Sequence, residues 1–228
     1  MTITDTALVE STLSLSTAMR EGSRAEHEAA EGSSFMAELL EGALNEQAYV
    51  DYLLRYRAVY AALETAVRRH AADPMVAAVH DPVLERLAAI DADLAHWAPD
   101  ADPTLVESAT TAAYVARIEH AATKAALGWG GALVAHHYTR YLGDLSGGQA
   151  IGRVLDRTFE LGGSGIAFYD FTAIAKPKLY KDAYRARLDA LVLDAADVAR
   201  VVDEVKVVFG LNQAVFVELG ANLPSYRR

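Results

Sequence analysis

The chain has 228 residues, 52% of them apolar and 23% charged, with a net charge of −10 and no cysteine. That length and apolar content suffice for one large domain with its own core, and the acidity argues against a general nucleic-acid binder. Lack of cysteine excludes disulfides, thiolate metal sites and thiol nucleophiles.

Residues 1–12, MTITDTALVEST, keep no sustained period and carry acids where a signal peptide has basic residues. They predict a disordered tail on a cytoplasmic protein, followed by one domain over 13–222 and a short C-terminal tail at 223–228. No run of about 18 apolar residues is present to span a bilayer, so no membrane partner is expected. Ser14 or Ser16 opens the first helix, which runs through TAMREGSRAEHEAAE to Glu31. Its one imidazole is His27, and Glu31 lies one turn later on the same face. Helical side chains lean toward the N-terminus, so the Glu31 carboxylate reaches back to the His27 ring and leaves the other ring nitrogen free to bind a metal. A lone helical histidine is more often an ordinary surface or core residue; the carboxylate beside it is what changes the odds.

Residues 35–40 add a short helical stretch. Tyr49, Tyr52, Leu53, Tyr56, Val59, Tyr60, Leu63 and Val67 then mark the buried stripe of a long helix ending before Asp73-Pro74, with Arg55, Arg57, Arg68 and Arg69 off the stripe. Pro82 opens the next helix, whose buried face is Val83, Leu84, Leu87, Ile90, Leu94 and Trp97. Residues 104–127 are helical again, up to the glycines of 128–131.

Residues 133–153, LVAHHYTRYLGDLSGGQAIGR, hold a helical spacing through Leu133, Val134, His137, Tyr138, Tyr141, Leu142, Leu145 and Ile151. Yet glycines stand at 143, 147, 148 and 152. Each costs about 1 kcal/mol relative to alanine in a helix interior, so four forfeit roughly 4 kcal/mol, a large share of a domain's stability. Something must need them. Gly143 and Gly147 are four apart on one face, where bare backbone lets a flat ligand approach and lets the helix bend. Taken alone, LSGGQ is more simply read as a loop between two helices or a glycine-rich phosphate cradle, although a phosphate loop follows a strand and carries lysine with serine or threonine. His136 and His137 point about 100° apart and are read as structural.

The segment LGGSGIAFYDF is a loop anchored by Phe168, Tyr169 and Phe171. In AKPKLYKDAYRARL, Lys181 and Arg185 stand one turn apart within the densest basic cluster of the chain, which by itself is a solvated face. A last helix covers residues 195–219, its spacing outweighing the strand propensity of its valines, and stops at Gly220. No stretch alternates as a strand does, so the fold is expected to be all-α.

Three of these stretches resemble, in this order, the biliverdin-producing heme oxygenases: REGSRAEHEAAEGSSFM the proximal helix, HHYTRYLGDLSGGQ the distal helix, and AKPKLYKDAYRARL the propionate-holding segment. The resemblance runs over residues 14–219. It implies a single all-α domain with heme between a proximal helix and a glycine-kinked distal helix. His27 is then the axial iron ligand and Glu31 its partner. Arg20 and Arg24 lie near the heme edge, Lys181 and Arg185 hold the propionates, and Tyr138, Gly148, Phe209 and Asn212 line the pocket. Gly143 and Gly147 carry the close approach. Asp144 relays protons through water, with Tyr60, Arg140 and Tyr138 in its network.

The implied reaction opens heme b, both cofactor and substrate, at a meso carbon, the alpha position favoured. It yields biliverdin, carbon monoxide and ferrous iron, using O2 and electrons from an external ferredoxin or NAD(P)H-dependent flavoprotein reductase. Nothing in the chain resembles a flavin or nicotinamide site. A monomer of the soluble bacterial type is the implied form, serving iron acquisition or bilin synthesis. A non-enzymatic heme carrier or sensor of the same fold is the alternative; it would use His27 but have no need of the glycines. A di-iron carboxylate bundle would need paired Glu-x-x-His motifs, and Asp93-x-x-His96 is the nearest approach. A thiaminase-like enzyme would need a cysteine.

Overall fold

A computed structural model describes residues 13–228, so the tail expected at 1–12 lies outside the described residues. All regular elements among them are helical, with one isolated antiparallel bridge between Leu44 and Arg227, in keeping with the all-α expectation.

The expected first helix is broken in two, α1 at Leu15–Gly22 and α2 at Arg24–Glu31. Ser23 makes the break: its buried hydroxyl donates to the Met19 carbonyl at 2.7 Å, competing with the helix ladder, and α2 then runs along the last long helix. α3 (Ser34–Glu41) ends on Gly42, whose φ of +72° closes the turn as a left-handed cap. α4 (Glu46–Arg69) starts at Asn45, whose side chain accepts from the Ala48 amide at 3.1 Å, and buries Tyr49, Tyr52, Tyr56 and Tyr60. Arg55 departs from expectation. Three residues after Tyr52 it shares the buried face, its stem covered, and its guanidinium reaches Glu218 at 2.9 Å.

A short α5 (Pro74–Val79), not foreseen, is capped by Asp73. Pro82 opens only a 3-10 turn, Pro82–Leu84, which leaves Val83 exposed. The helix expected there begins later, as α6 (Leu87–Trp97), where Glu64 accepts the amides of Arg86 at 2.6 Å and Leu87 at 2.9 Å. α7 (Ala109–Ala126) likewise starts later than expected, at the Ser108 cap. α8 (Gly131–Gly143) is buried on almost every side and packs on the last long helix, α7, α5 and α4, as befits a helix apolar all round. It passes through a π-helical segment, Asp144–Gly148, into α9 (Gln149–Phe159). A 3-10 turn at Ala167–Tyr169 follows, its first two amides held by Asp93 at 2.7 and 2.8 Å, so Asp93 has a structural task.

α10 (Pro177–Asp189) and α11 (Ala195–Gly220, capped by Asp194) complete the layer around α8. The expected C-terminal tail is instead a short α12 (Leu223–Tyr226) with Leu223 and Tyr226 buried. Arg227 beyond it pairs with Glu38 at 2.6 Å, which clamps the chain end onto α3.

Candidate functional site

α2 and the run from α8 through the π segment form facing walls of a cleft with two adjoining lobes. The outer lobe, about 370 Å³, is lined by Arg20, Arg24, Tyr138 and Arg185 among others; the inner, about 110 Å³, reaches Tyr52, Asp144, Gly148, Tyr169 and Asn212. His27, Glu31, Thr139, Gly143, Gly147 and Phe209 belong to both. The His27 ring is 47% exposed and stands edge-on to Phe209, centroids 5.2 Å apart. Glu31 Oε1 lies 3.4 Å from His27 Nε2. The one-turn spacing thus brings the carboxylate beside the ring, on its Nε2 side.

On the opposite wall the four glycines divide. A Cβ added at Gly143 or Gly147 would meet no atom within 4 Å, whereas one at Gly148 or Gly152 would come within 3.0 Å of Tyr169. Two of the glycines keep the cleft wall bare and two let Tyr169 pack against the helix. A π-helical segment, Asp144–Gly148, interrupts the α pattern here, and its i→i+5 bonding is one of the irregularities at which helices kink.

Behind that wall lies a buried polar network. Asp144 accepts from the Tyr60 hydroxyl and from Arg140 Nη2 at 3.0 Å; Arg140 Nε donates to the Tyr60 oxygen at 3.1 Å. Arg140 Nη1 donates to Asn212 Oδ1 at 2.7 Å, which also accepts from Tyr56 at 2.9 Å. The guanidinium sits 4.5 Å over the Tyr56 ring. Every donor finds a partner, which is what a buried charge requires. Burial nonetheless pushes the Asp144 carboxyl above its ordinary range, against the pull of Arg140 and Tyr60, and raises the Tyr60 phenol well above its own.

The two histidines read as structural are fully buried. His137 Nδ1 is 2.8 Å from the Tyr184 hydroxyl, and burial, helped by His80 and Arg187, holds its pKa down at about 3. His136 approaches Glu204 at 3.3 Å; burial works upward on Glu204, but the nearby His136 and the Arg117 guanidinium, which donates to it at 2.8 Å, outweigh it and bring it to about 2. Among the described residues no three histidine, aspartate or glutamate side chains gather as a metal-ion site.

The family model described as heme oxygenase matches residues 13–218. The chain belongs to the heme oxygenase family. Heme oxygenase 1 of Nostoc is 35% identical over 212 residues, covering 92% of this chain and 87% of the relative. The crystal structure of heme oxygenase-1 from the cyanobacterium Synechocystis in complex with heme superposes with a TM-score of 0.86 at 32% identity, covering 93% of this chain and 95% of that one. The heme oxygenase of Leptospira interrogans gives 0.84 at 35% identity, covering 90% and 100%.

Of the heme oxygenase positions expected from sequence, Arg20, Arg24, His27, Glu31, Tyr138, Gly143, Gly147, Arg185 and Phe209 meet around the outer lobe. Tyr60, Arg140, Asp144 and Asn212 form the network behind it. Tyr138 faces the outer lobe and makes none of that network's hydrogen bonds named above. Asn212 does more than line the cleft, because it joins Arg140 to Tyr56. Lys181 is turned elsewhere: its ammonium donates to Ser146 Oγ at 2.8 Å and rests 3.4 Å from the Leu145 carbonyl, on the π segment. Arg20 and Arg24 both pair with Glu21, and Arg185 contacts Asp182 at 3.3 Å. The sequence reading missed Tyr56, Thr139 and Ser146. Thr139 was findable, since Thr139, Gly143 and Gly147 are spaced by four on one face.

Proposed function

We propose that this member of the heme oxygenase family binds heme b in the cleft and opens it at the alpha-meso carbon, giving biliverdin, carbon monoxide and ferrous iron. Dioxygen and electrons from an external ferredoxin or NAD(P)H-dependent flavoprotein reductase complete the reaction, and the enzyme works as a monomer in the cytoplasm. No helix of the described residues is long and apolar enough to cross a membrane. One observation carries the reading: an accessible imidazole, His27, faces side-chain-free backbone at Gly143 and Gly147 across one cleft.

The residues present fit such a group. A flat macrocycle needs a gap that no Cβ fills, a nitrogen donor on one face, and cations at the rim for its carboxylates, which Arg20, Arg24 and Arg185 offer. The solved Synechocystis relative, crystallised with heme, supports the same reading. Bound heme supplies both the iron that activates dioxygen and the ring that is consumed. Phe209 packs against the His27 ring and restricts its rotation. Gly143 and Gly147 put main chain, and no acid or base, on the oxygen side, so no side chain there assists O–O cleavage. Asp144, whose affinity for a proton burial raises, relays protons to the cleft through water, with Tyr60 beside it. Lys181 steadies the π segment through Ser146, which lines the outer lobe.

Heme titration followed by reduction in air, with the product separated by chromatography, tests the proposal. Loss of heme absorption with formation of biliverdin is expected. Heme recovered unchanged would overturn it in favour of a carrier or sensor.

A further inference from the structure

At the inner end of the cleft a buried hydroxyl has no partner. The inner lobe, about 110 Å³, is apolar at Met36, Ile151 and Phe216 and polar at Asp144, Arg140, Asn212, Tyr52 and Tyr169. Asp144, Arg140 and Asn212 are engaged with one another and with Tyr56 and Tyr60. The Tyr169 hydroxyl is buried without a hydrogen-bond partner, and the Tyr52 phenol beside it, near enough to act on it, closes no bond of good geometry to it. Phenylalanine at position 169 would fill the same space without leaving a buried hydroxyl unpaired, so packing does not account for the oxygen. Burial raises the pKa of both phenols, so both keep their protons and can donate. Thr139, whose hydroxyl is also unpartnered, borders both lobes and favours neither end.

The two ends of the cleft differ in what they can hold. Arg20, Arg24 and Arg185 line the outer lobe alone, Tyr52 and Tyr169 the inner lobe alone. A porphyrin whose propionates lie among the cations turns its opposite, vinyl-bearing edge toward the phenols. A vinyl group offers them no acceptor. A formyl group has nearly the same size and shape, with oxygen in place of the terminal CH2, and its oxygen can accept from both. We infer that the inner lobe is a subsite for a carbonyl substituent on the porphyrin edge opposite the propionates, held by the hydroxyls of Tyr169 and Tyr52. The inference rests on heme binding in the cleft as proposed above and narrows the substrate class: heme b fits the lobe, and a formyl-substituted heme fits it better. A pocket whose buried donors one ligand pairs and another leaves unpaired separates two ligands that size alone would not.

Tyr49 supplies a control. Its hydroxyl is buried and unpartnered as well, and its ring stacks on Tyr52 with centroids 6.1 Å apart, but it lines neither lobe. The test titrates the whole protein with heme b and with the analogue in which both vinyl groups are formyl, and records resonance Raman spectra of the bound analogue. The analogue is expected to bind about two- to tenfold more tightly, the worth of an ordinary hydrogen bond, with a carbonyl stretch lowered from its value in aprotic solvent. Tyr169→Phe should melt no lower than the parent and take up heme b as before, yet lose the preference and the lowered stretch. Tyr52→Phe should weaken both, and Tyr49→Phe should keep both. A carbonyl stretch at its unbonded value in the unaltered protein overturns the inference, whether or not the variants fold. So does a preference that survives in Tyr169→Phe. Uptake of heme b with no preference for the analogue overturns the subsite alone, whereas a protein that takes up neither heme overturns the proposed function with it.

Discussion

Asp144 carries two donors, Tyr60 and Arg140, on a carboxylate that burial still pushes toward holding its proton. Asparagine keeps that shape but cannot deliver a proton. Asp144→Asn is therefore expected to leave heme affinity nearly unchanged and to lower bilin formation by about 10²–10⁴-fold, the usual range for loss of a positioned acid or base. Heme titration and product chromatography on the variant measure both; full yield would remove Asp144 from proton delivery. His137 sets a different dependence. Its ring takes a proton near pH 6.5 when unfolded and at about 3 when folded. Between those values the unfolded chain binds more protons, so stability present above pH 6.5 is lost as the solution is acidified. From pH 7 to pH 5 this one ring accounts for about 2 kcal/mol, with His136, also lowered by burial, acting in the same direction. Denaturant melts across that range should show the decline, and a flatter one for His137→Gln. A level profile in the unaltered protein would contradict the assignment.

At the scale of the element, the glycine run separates stability from binding. Alanine is a better helix former than glycine by up to about 1 kcal/mol, and nothing crowds a Cβ at Gly143 or Gly147. Gly143→Ala and Gly147→Ala should melt no lower than the parent and bind heme more weakly. Gly148→Ala should melt lower, because its Cβ would meet the buried Tyr169 ring at 3.0 Å and overpacking costs about 1–3 kcal/mol. Paired thermal melts and heme titrations check the division, and a large stability loss at position 143 with none at 148 would reverse it. The π segment owes part of its hold to α10, through Lys181 and Ser146, a contact between residues 35 apart in the chain.

Over the whole molecule, the chain end closes the fold. Leu223 and Tyr226 are buried, Tyr226 donates to Asp51 and accepts the Asn45 amide at 2.6 Å, and Arg227 pairs with Glu38. Ending the chain after Asn222 removes two large buried side chains worth about 1.5–3 kcal/mol each, so a loss of roughly 3 kcal/mol or more is expected in denaturant midpoints. An unchanged midpoint would return residues 223–228 to the tail that the sequence suggested.

The fold class and the His27–Glu31, Gly143–Gly147 and Lys181–Arg185 spacings were legible because each depends on the local period of one helix, which any chain displays in its own order of residues. The break at Ser23 was not, since a serine that bonds its own backbone looks like any other helical serine. Nor were the burial of Arg55 against Glu218, the junction of Arg140 and Tyr56 at Asn212, or the packing of Tyr169 on Gly148 and Gly152. Periodicity reports which face of a helix is turned inward and says nothing of what meets it there. Those partners lie far apart along the chain, and only the packing of α4, α8 and α11 around one another brings them to hydrogen-bond distance.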